Sequence, residues 1–264
     1  MQERHLNREQ YFRELAGTAR EFYVDYLRPH ATLTAETRVL EIGCGEGGNL
    51  LAFAELGCQV TGIDIDKGRI SQAQQFFSSA QRQGTFLCQD FMQVPPPTTD
   101  DERFDLVLCH DVIEHIEPPH KQTFLSHIRL FLRPGAIVFF GFPAWQNPFG
   151  GHQQISNGLA SKLPFVHLLP QSLYRAMLRW SGATPSHISE LMSIRRARIT
   201  VEDFERLAKE TGYEVLDRKL WFINPHYKQK FNLKPRLQWV VFSSLPYIRN
   251  FYTTSAFFLL KAKH

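Results

Sequence analysis

A glycine-rich junction is the part of this sequence whose residue types and spacing most clearly suggest chemistry. In the stretch VLEIGCGEGG, Gly43, Gly45 and Gly48 have the spacing G-x-G-x-x-G. Glycines allow a sharp backbone turn and let a ligand approach without obstruction by Cβ. The helix that starts behind them offers unpaired N–H groups. The pattern is weak alone, but its place between a strand and a helix favours a nucleotide-type ligand.

Two acids follow the next predicted strands at positions that suit a nucleoside. Asp64 comes 21 residues after Gly43 and could accept hydrogen bonds from both ribose hydroxyls, or could simply cap the next helix. Asp90 follows the third strand and could accept from an adenine amino group, with Phe91 beside it as an apolar contact. The alternative for Asp90 is an ordinary turn residue.

Glu41 distinguishes between classes of ligand. It lies two residues before Gly43, where its carboxylate would repel a pyrophosphate and attract an ammonium or sulfonium group. This disfavours an NAD-dependent dehydrogenase, which remains an alternative. A protein that binds the same ligand but does not turn it over is a second alternative.

Histidine is the natural proton acceptor at neutral pH, and two histidines are candidates for a catalytic role. His152 follows two glycines just past the fifth predicted strand, and His115 lies in DVIEHI after the fourth. The alternatives are a loop histidine at 152 and a structural hydrogen bond at 115. His167 is interpreted as a packed polar residue.

No metal site is predicted. Asp111, Glu114 and Glu117 are close in sequence, but acids in a first helical turn also favour the helix dipole. The cysteines are scattered singly, which disfavours a disulfide framework or a zinc site and suggests small buried apolar residues. They are Cys44, Cys58, Cys88 and Cys109.

The elements that must position these residues alternate between strand and helix. Five strands are predicted at 37–43, 58–65, 85–90, 104–110 and 136–143, with two more at 213–224 and 253–263. This rhythm predicts an α/β fold with a Rossmann-like, doubly wound sheet of about seven, mostly parallel strands. Such sheets bind ligands beyond the carboxyl ends of their strands.

Three segments lie outside that rhythm. Residues 1–30 predict an N-terminal helical cap over the ligand site, and 31–264 form the main domain. Residues 144–199 are too long for a simple connection and predict an inserted helical cap. Its apolar residues could line an acceptor pocket or form the cap's own core: Trp145, Phe149, Phe165, Leu168, Leu169, Tyr174 and Trp180.

The third segment, 224–250, is basic and aromatic. It could contact a membrane, form a dimer surface or be a solvated basic face, and membrane contact is not the favoured interpretation. Its charged and aromatic residues are Lys228, Lys230, Lys234, Arg236, Arg249, Tyr227, Phe231, Trp239 and Phe242.

Composition sets limits on partners and location. The 264 residues include 30 basic and 26 acidic side chains, a balance too mild to indicate nucleic-acid binding. No apolar stretch reaches the roughly 18 residues of a membrane span. The start MQERHLNREQ lacks an apolar signal region, so we expect a cytoplasmic protein.

These motifs together resemble the class I S-adenosylmethionine-dependent methyltransferases. VLEIGCGEGG is similar to their first motif, GIDID to the ribose motif and QDF to the adenine motif. FDLVLCHDVIEHI is similar to the motif around the fourth strand, and LRPGAIVFFGFP to the turn and fifth strand. The resemblance covers 37–143, resumes at 200–223 and the last strand, and leaves out 144–199 and 224–250.

The resemblance implies S-adenosylmethionine as cofactor and methyl transfer to a small-molecule acceptor, with oxygen favoured and an apolar or aromatic acceptor possible. It also implies an antiparallel last strand. Its implied cofactor residues are Glu41, Gly43, Cys44 and Gly45 for the methionine portion, Asp64 for the ribose, Ile65, Asp90 and Phe91 for the adenine, and His110 for the methionine end through its backbone.

Overall fold

One eight-stranded sheet organises the molecule. The structure is a computed structural model that describes residues 7–156 and 158–263. The strand order is β3-β2-β1-β4-β5-β8-β6-β7. The strands are β1 Arg38–Ile42, β2 Gln59–Asp64, β3 Thr85–Cys88, β4 Phe104–His110, β5 Leu132–Phe142, β6 Tyr213–Ile223, β7 Arg236–Leu237 and β8 Ser255–Ala262.

Strands β1 to β5 run parallel, and β8 is antiparallel to both β5 and β6. This confirms the predicted doubly wound sheet with an antiparallel last strand. The sheet has eight strands, where about seven were predicted. The extra strand, β7, has only two residues, both exposed, and so is too short to show an apolar alternation.

Helices cover both faces of the sheet. They are α1 Arg8–Thr18, α2 Val24–Leu27, α3 Gly48–Glu55, α4 Lys67–Ser79, α5 Pro118–Arg129, α6 Gln171–Trp180, α7 Pro185–Ala197, α8 Val201–Glu210, α9 His226–Phe231 and α10 Val240–Ser244. A π-helical turn, Ala19–Tyr23, joins α1 to α2. The predicted cap of α8 is confirmed, because the Thr200 hydroxyl accepts a hydrogen bond from the Asp203 N–H.

Alternate residues of the central strands enter two separate cores. Leu40 and Ile42 pack in one, whereas Val39 packs in the other, because successive side chains of a strand point to opposite faces. The segment 144–199 has a third core of its own that includes Trp145, Tyr174 and Leu178. For Trp145 and Tyr174, the alternative of a cap core is therefore confirmed.

Six strands end at the same edge of the sheet. The parallel strands β1 to β5 do so directly. Strand β6 joins them, since it is antiparallel to β8, which is itself antiparallel to β5. The glycine loop, the segment 144–199 and the segment 224–250 therefore all emerge at one edge. Within the described residues, no helix is long and apolar enough to span a membrane.

Candidate functional site

The glycine loop turns because its residues adopt left-handed backbone angles. The φ angles of Gly43, Gly45 and Gly47 are +71°, +52° and +79°. A Cβ at Gly43 would lie 2.5 Å from Cγ2 of Val112, so that position also needs the absence of a side chain. No side chain caps the start of α3 among the described residues, which leaves its first N–H groups available to a ligand.

Helix α1 lies over this loop. A Cβ on Gly48 would meet the Phe12 carbonyl oxygen at 2.7 Å, so this glycine permits the close approach of α1 to α3. The Arg8 guanidinium forms a 2.9 Å ion pair with the loop residue Glu46. These contacts place the start of α1 beside the glycine loop; residues 1–6 of the predicted N-terminal cap lie outside the described residues.

Glu41 is buried at the end of β1, behind the glycine loop. Its carboxylate accepts a 2.6 Å hydrogen bond from the Asn49 amide, and its second oxygen has no partner among the described residues. Burial and the nearby charge of Asp64 raise the pKa of Glu41 to about 8, although the Asn49 hydrogen bond opposes the shift. A cationic group beside that free oxygen would stabilise the ionised form.

Asp64 ties the second strand to the glycine loop. Its carboxylate accepts hydrogen bonds of 2.9 Å from the N–H groups of Gly45 and Asp66. Asp66, rather than Asp64, caps α4 by accepting from Gly68 and Arg69. The helix-cap alternative for Asp64 is therefore wrong.

The three residues that were predicted to contact adenine differ in how far their side chains are exposed. The side chain of Ile65 is 75% exposed, and a ligand would cover it. Asp90 is also exposed, although one of its oxygens caps a 3-10 turn by accepting from the Met92 N–H. The Phe91 ring is instead buried against Phe124 and Phe131. The predicted side-chain contact of Phe91 with adenine is thus corrected to a core role, which leaves only its backbone for a ligand.

Two more predicted residues are packed into the protein. Cys44 is buried, and its thiol points back to the Gly45 carbonyl oxygen at 3.6 Å. The His110 ring lies 5.3 Å from that of Tyr23, with its Nδ1 3.3 Å from the Asp111 carboxylate. For both residues the backbone remains the group through which a ligand could be contacted.

The prediction that the cysteines are buried is wrong for Cys88, whose side chain is exposed, whereas Cys58 and Cys109 are buried.

The two histidines predicted as catalytic come together. The rings of His115 and His152 lie 5.1 Å apart, edge to face. His152 has a φ of +54°, a left-handed angle that places it at the tip of its turn. Burial, followed by the charge of His115, lowers the pKa of His152 to about 4, and burial also lowers that of His115. Both imidazoles are therefore neutral at pH 7.

Asp111 is a carboxylate whose negative charge acts on both histidines and opposes the lowering of their pKa values. Desolvation would raise the pKa of Asp111, but in acid, where the histidines are protonated, the charge and hydrogen bond of His110 and the charges of His152 and His115 outweigh that effect and lower it to about 2. Its φ of +55° makes it a second left-handed residue at the carboxyl end of β4. His167 lies apart, in the cap core, with its Nε2 2.8 Å from the Trp145 carbonyl oxygen. Its prediction as a packed polar residue is confirmed.

Two further polar residues belong to this site: Asn49, which the sequence did not suggest, and Glu114, which was interpreted only as an acid of a first helical turn. Asn49 orients Glu41, and its signal was a lone amide in the apolar run of α3. Glu114 is buried, and neither of its oxygens has a hydrogen-bond partner among the described residues, although one lies 4.0 Å from Nε2 of His115. Burial raises the pKa of Glu114 well above the usual range. Possible ligand atoms of Glu114, His115 and His152 lie within 4.8 Å of one another, so a cation could be held there.

Comparisons with known proteins define the class. A methyltransferase-domain family model matches residues 39–135. The putative methyltransferase YqeM of Bacillus subtilis (strain 168) is 36% identical over 211 residues, covering 70% of this chain and 76% of that protein. A ubiquinone biosynthesis O-methyltransferase of Coxiella burnetii (strain Dugway 5J108-111) is 31% identical over 151 residues, 54% of this chain and 62% of the relative. The same enzyme from another Coxiella burnetii strain is matched over 47% of its length, so this chain spans about half the length of these relatives.

Solved structures show the same fold. The magnesium protoporphyrin IX methyltransferase of Synechocystis PCC 6803, with bound SAH, aligns with a TM-score of 0.57 at 16% identity, over 95% of this chain and 84% of that one. The fold and the site thus define a Rossmann-like methyltransferase. The chain belongs to the class I S-adenosylmethionine-dependent methyltransferases.

Proposed function

We propose that this protein transfers a methyl group from S-adenosylmethionine to an oxygen atom of a small-molecule acceptor. The observation that carries the proposal is the meeting of His115 and His152, 5.1 Å apart, where β4 and β5 end beside the glycine loop. A neutral imidazole pair suits an acceptor hydroxyl that must lose a proton. The Coxiella burnetii relative, an O-methyltransferase by name, supports oxygen as the target.

The residues of the first β-to-α junction fit this cofactor. Gly43 and Gly45 leave room for close backbone approach, and the unpartnered Glu41 oxygen would accept from the ammonium of the methionine portion. The Asp64 carboxylate is half-exposed at the edge where a ribose would lie. When bound, the cofactor would supply a methyl carbon on a cationic sulfur, and transfer of that methyl group to the acceptor oxygen would leave the electron pair of the broken C–S bond on sulfur.

The histidines would manage the acceptor's proton. Because the pKa of His152 is lowered to about 4, its imidazole is neutral and free to accept the hydroxyl proton at pH 7. Asp111 would then stabilise the imidazolium that forms, since its lowered pKa keeps it ionised. A general base is worth about 10²- to 10⁴-fold in rate when its pKa lies near the working pH, and the lowered pKa of His152 places its contribution at the lower end of that range. Alignment of the two reactants is worth more, roughly 7–11 kcal/mol, and would be the main task of the loops at this edge.

Calorimetry and a product assay test the proposal. We expect S-adenosylhomocysteine to bind and NAD not to bind. Binding of NAD alone would support the dehydrogenase alternative and refute the proposal. A panel of phenols and enols of increasing apolar size, with mass spectrometry of the products, should give O-methylated compounds. Products methylated only at nitrogen or carbon, or cofactor binding with no turnover across the panel, would contradict transfer to oxygen.

A further inference from the structure

An exposed apolar surface surrounds α10. The most exposed large apolar side chains of this segment are Trp239 at 76%, Val240 at 81%, Val241 at 69% and Tyr247 at 67%, and Ile248 is also exposed. We name these five residues the apolar rim. Burying such a surface against something other than water would be favourable, and contiguous patches of this kind mark interaction sites.

Ring contacts extend this surface. Trp239 stacks on Phe242 at 6.0 Å, and Phe242 contacts Tyr252 at 5.0 Å. Phe251 lies 6.4 Å from Phe165 of the segment 144–199. The apolar rim is therefore continuous, through Phe242, with the Tyr252 ring, and the neighbouring residue Phe251 contacts the segment 144–199, which emerges at the carboxyl edge of the sheet.

The stretch of sequence that carries the apolar rim has charges of one sign, and Glu202 of α8, which accepts a hydrogen bond from the rim residue Tyr247, is itself paired with Arg249. Residues 218–264 hold nine Lys and Arg and no Asp or Glu, whereas the preceding residues hold 21 Lys and Arg and all 26 Asp and Glu. Lys234 and Arg236 are exposed, and neither pairs with a carboxylate among the described residues. Arg249, by contrast, is buried in ion pairs with Glu202 and Glu205. Two cations therefore remain available to an external anion beside the apolar rim.

We infer that the apolar rim docks on an anionic phospholipid surface. Trp and Tyr suit the headgroup level of a bilayer, Val240 and Val241 suit the first acyl carbons, and Lys234 and Arg236 suit lipid phosphates. A second copy of this chain fits less well, because a two-fold interface would bring this acid-free segment against itself. Docking would present the candidate active site to acceptors dissolved in the bilayer.

Vesicle sedimentation of the full chain tests this inference without cofactor or acceptor, so its outcome is independent of the proposed function. We expect binding to phosphatidylglycerol vesicles, weak binding to phosphatidylcholine vesicles, and a blue shift of Trp fluorescence that is lost in Trp239→Ser. Val240→Asp/Val241→Asp should abolish binding. Lys234→Glu/Arg236→Glu should lower the partition coefficient by about tenfold or more at low salt.

Matched variants at other exposed sites keep the test specific. Leu130→Asp changes an apolar residue that is 48% exposed at the end of α5, and Arg82→Glu/Lys209→Glu reverses two exposed charges elsewhere. Both should bind vesicles like the wild type, and all variants should melt at the wild-type temperature. Equal loss in the control variants would overturn the inference. So would a dimer in sedimentation equilibrium that Val240→Asp/Val241→Asp dissociates, with no vesicle binding by the wild type.

Discussion

The Asn49 amide donates a 2.6 Å hydrogen bond to the buried Glu41 carboxylate, and so links the first turn of α3 to the end of β1. The bond fixes one carboxylate oxygen and leaves the other without a partner among the described residues. Since burial raises the pKa of Glu41 to about 8, the free protein holds a proton there at neutral pH. A ligand with an ammonium group would expel that proton.

We therefore predict that cofactor binding at pH 7 releases up to about one proton from Glu41. Calorimetry of S-adenosylhomocysteine binding in buffers of different ionisation enthalpy measures this release directly. Glu41→Gln should bind more weakly and release no proton. Proton release that persists in Glu41→Gln would assign it to another group.

The same group makes stability depend on pH. The folded-state pKa of Glu41 lies above its ordinary value of 4.5, so the folded state binds more protons than the unfolded state between about pH 4.5 and 8. Rising pH therefore costs stability across that window, by up to about 1.4 kcal/mol per pH unit. Glu41→Gln should become progressively more stable than the wild type from pH 5 to 8 in thermal melts of the ligand-free protein. A constant difference would contradict the raised pKa.

Asp64→Ala tests the ribose assignment. The substitution removes the acceptor of the Gly45 and Asp66 N–H groups together with the proposed ribose contact. Hydrogen bonds to a charged group are worth about 1.5–3 kcal/mol, so the dissociation constant should rise by roughly 10- to 150-fold. Asp66→Ala is the control, since it removes only the cap of α4 and should cost about 1 kcal/mol of stability. An unchanged constant in Asp64→Ala would remove Asp64 from the ribose site.

The sequence identified the sheet and the first β-to-α junction because both depend on local patterns. Apolar runs such as FDLVLCH mark buried strands, and β4 has the predicted bounds 104–110. Strand β5 begins at Leu132, four residues before its predicted start, because the expected Pro134-Gly135 turn lies inside the strand. Leu132 pairs with Phe104 before this turn, and the pairing with β4 resumes at Ile137 after an irregularity, so local propensity identified the interruption but not the strand residues that precede it.

The sequence predicted several of the residues that lie at the site, but it could not predict the directions in which their side chains point. Because His115 and His152 follow two predicted parallel strands, both were expected at the same edge of the sheet, and the structure places their rings 5.1 Å apart. The same reasoning could not foresee that the Phe91 ring turns towards Phe124, because a residue after a strand can face either the ligand or the next helix. Asn49 escaped notice because its partner, Glu41, is eight residues away on another element.

His152 is the residue whose loss should separate turnover from binding. His152→Asn keeps a side chain that tolerates the left-handed φ of +54° but cannot accept a proton. The turnover number should fall by about 10²-fold while S-adenosylhomocysteine binds as before. Because the pKa of His152 is about 4, wild-type turnover should fall only as the pH approaches that value, rather than near 6.5. His120→Ala, an exposed histidine on α5, is the control, and equal turnover in His152→Asn and wild type would exclude a catalytic role.

We predict that turnover is independent of a metal ion. The ligand atoms of Glu114, His115 and His152 lie within 4.8 Å, but transfer from a cationic sulfur does not require a Lewis acid. Burial also raises the pKa of Glu114, which disfavours the ionised carboxylate that a metal ion would bind. Dialysis against EDTA should leave the turnover number unchanged. A loss that Mg²⁺ or Zn²⁺ restores would make these three residues a metal site.

A comparison of Gly43 with Gly135 separates two costs of adding a side chain: the steric clash in the glycine loop and the strain of a positive φ. Gly43 and Gly135 both have positive φ, +71° and +83°, so alanine at either position should cost about 1–2 kcal/mol of stability. A Cβ at Gly43 would also meet Val112 at 2.5 Å, whereas one at Gly135 would meet nothing within 4 Å. Gly43→Ala should therefore lower the free energy of unfolding by about a further 1–3 kcal/mol and weaken S-adenosylhomocysteine binding, because the loop must move. Gly135→Ala should bind normally; if both variants bind alike, the close packing of Gly43 on Val112 does not shape the cofactor loop.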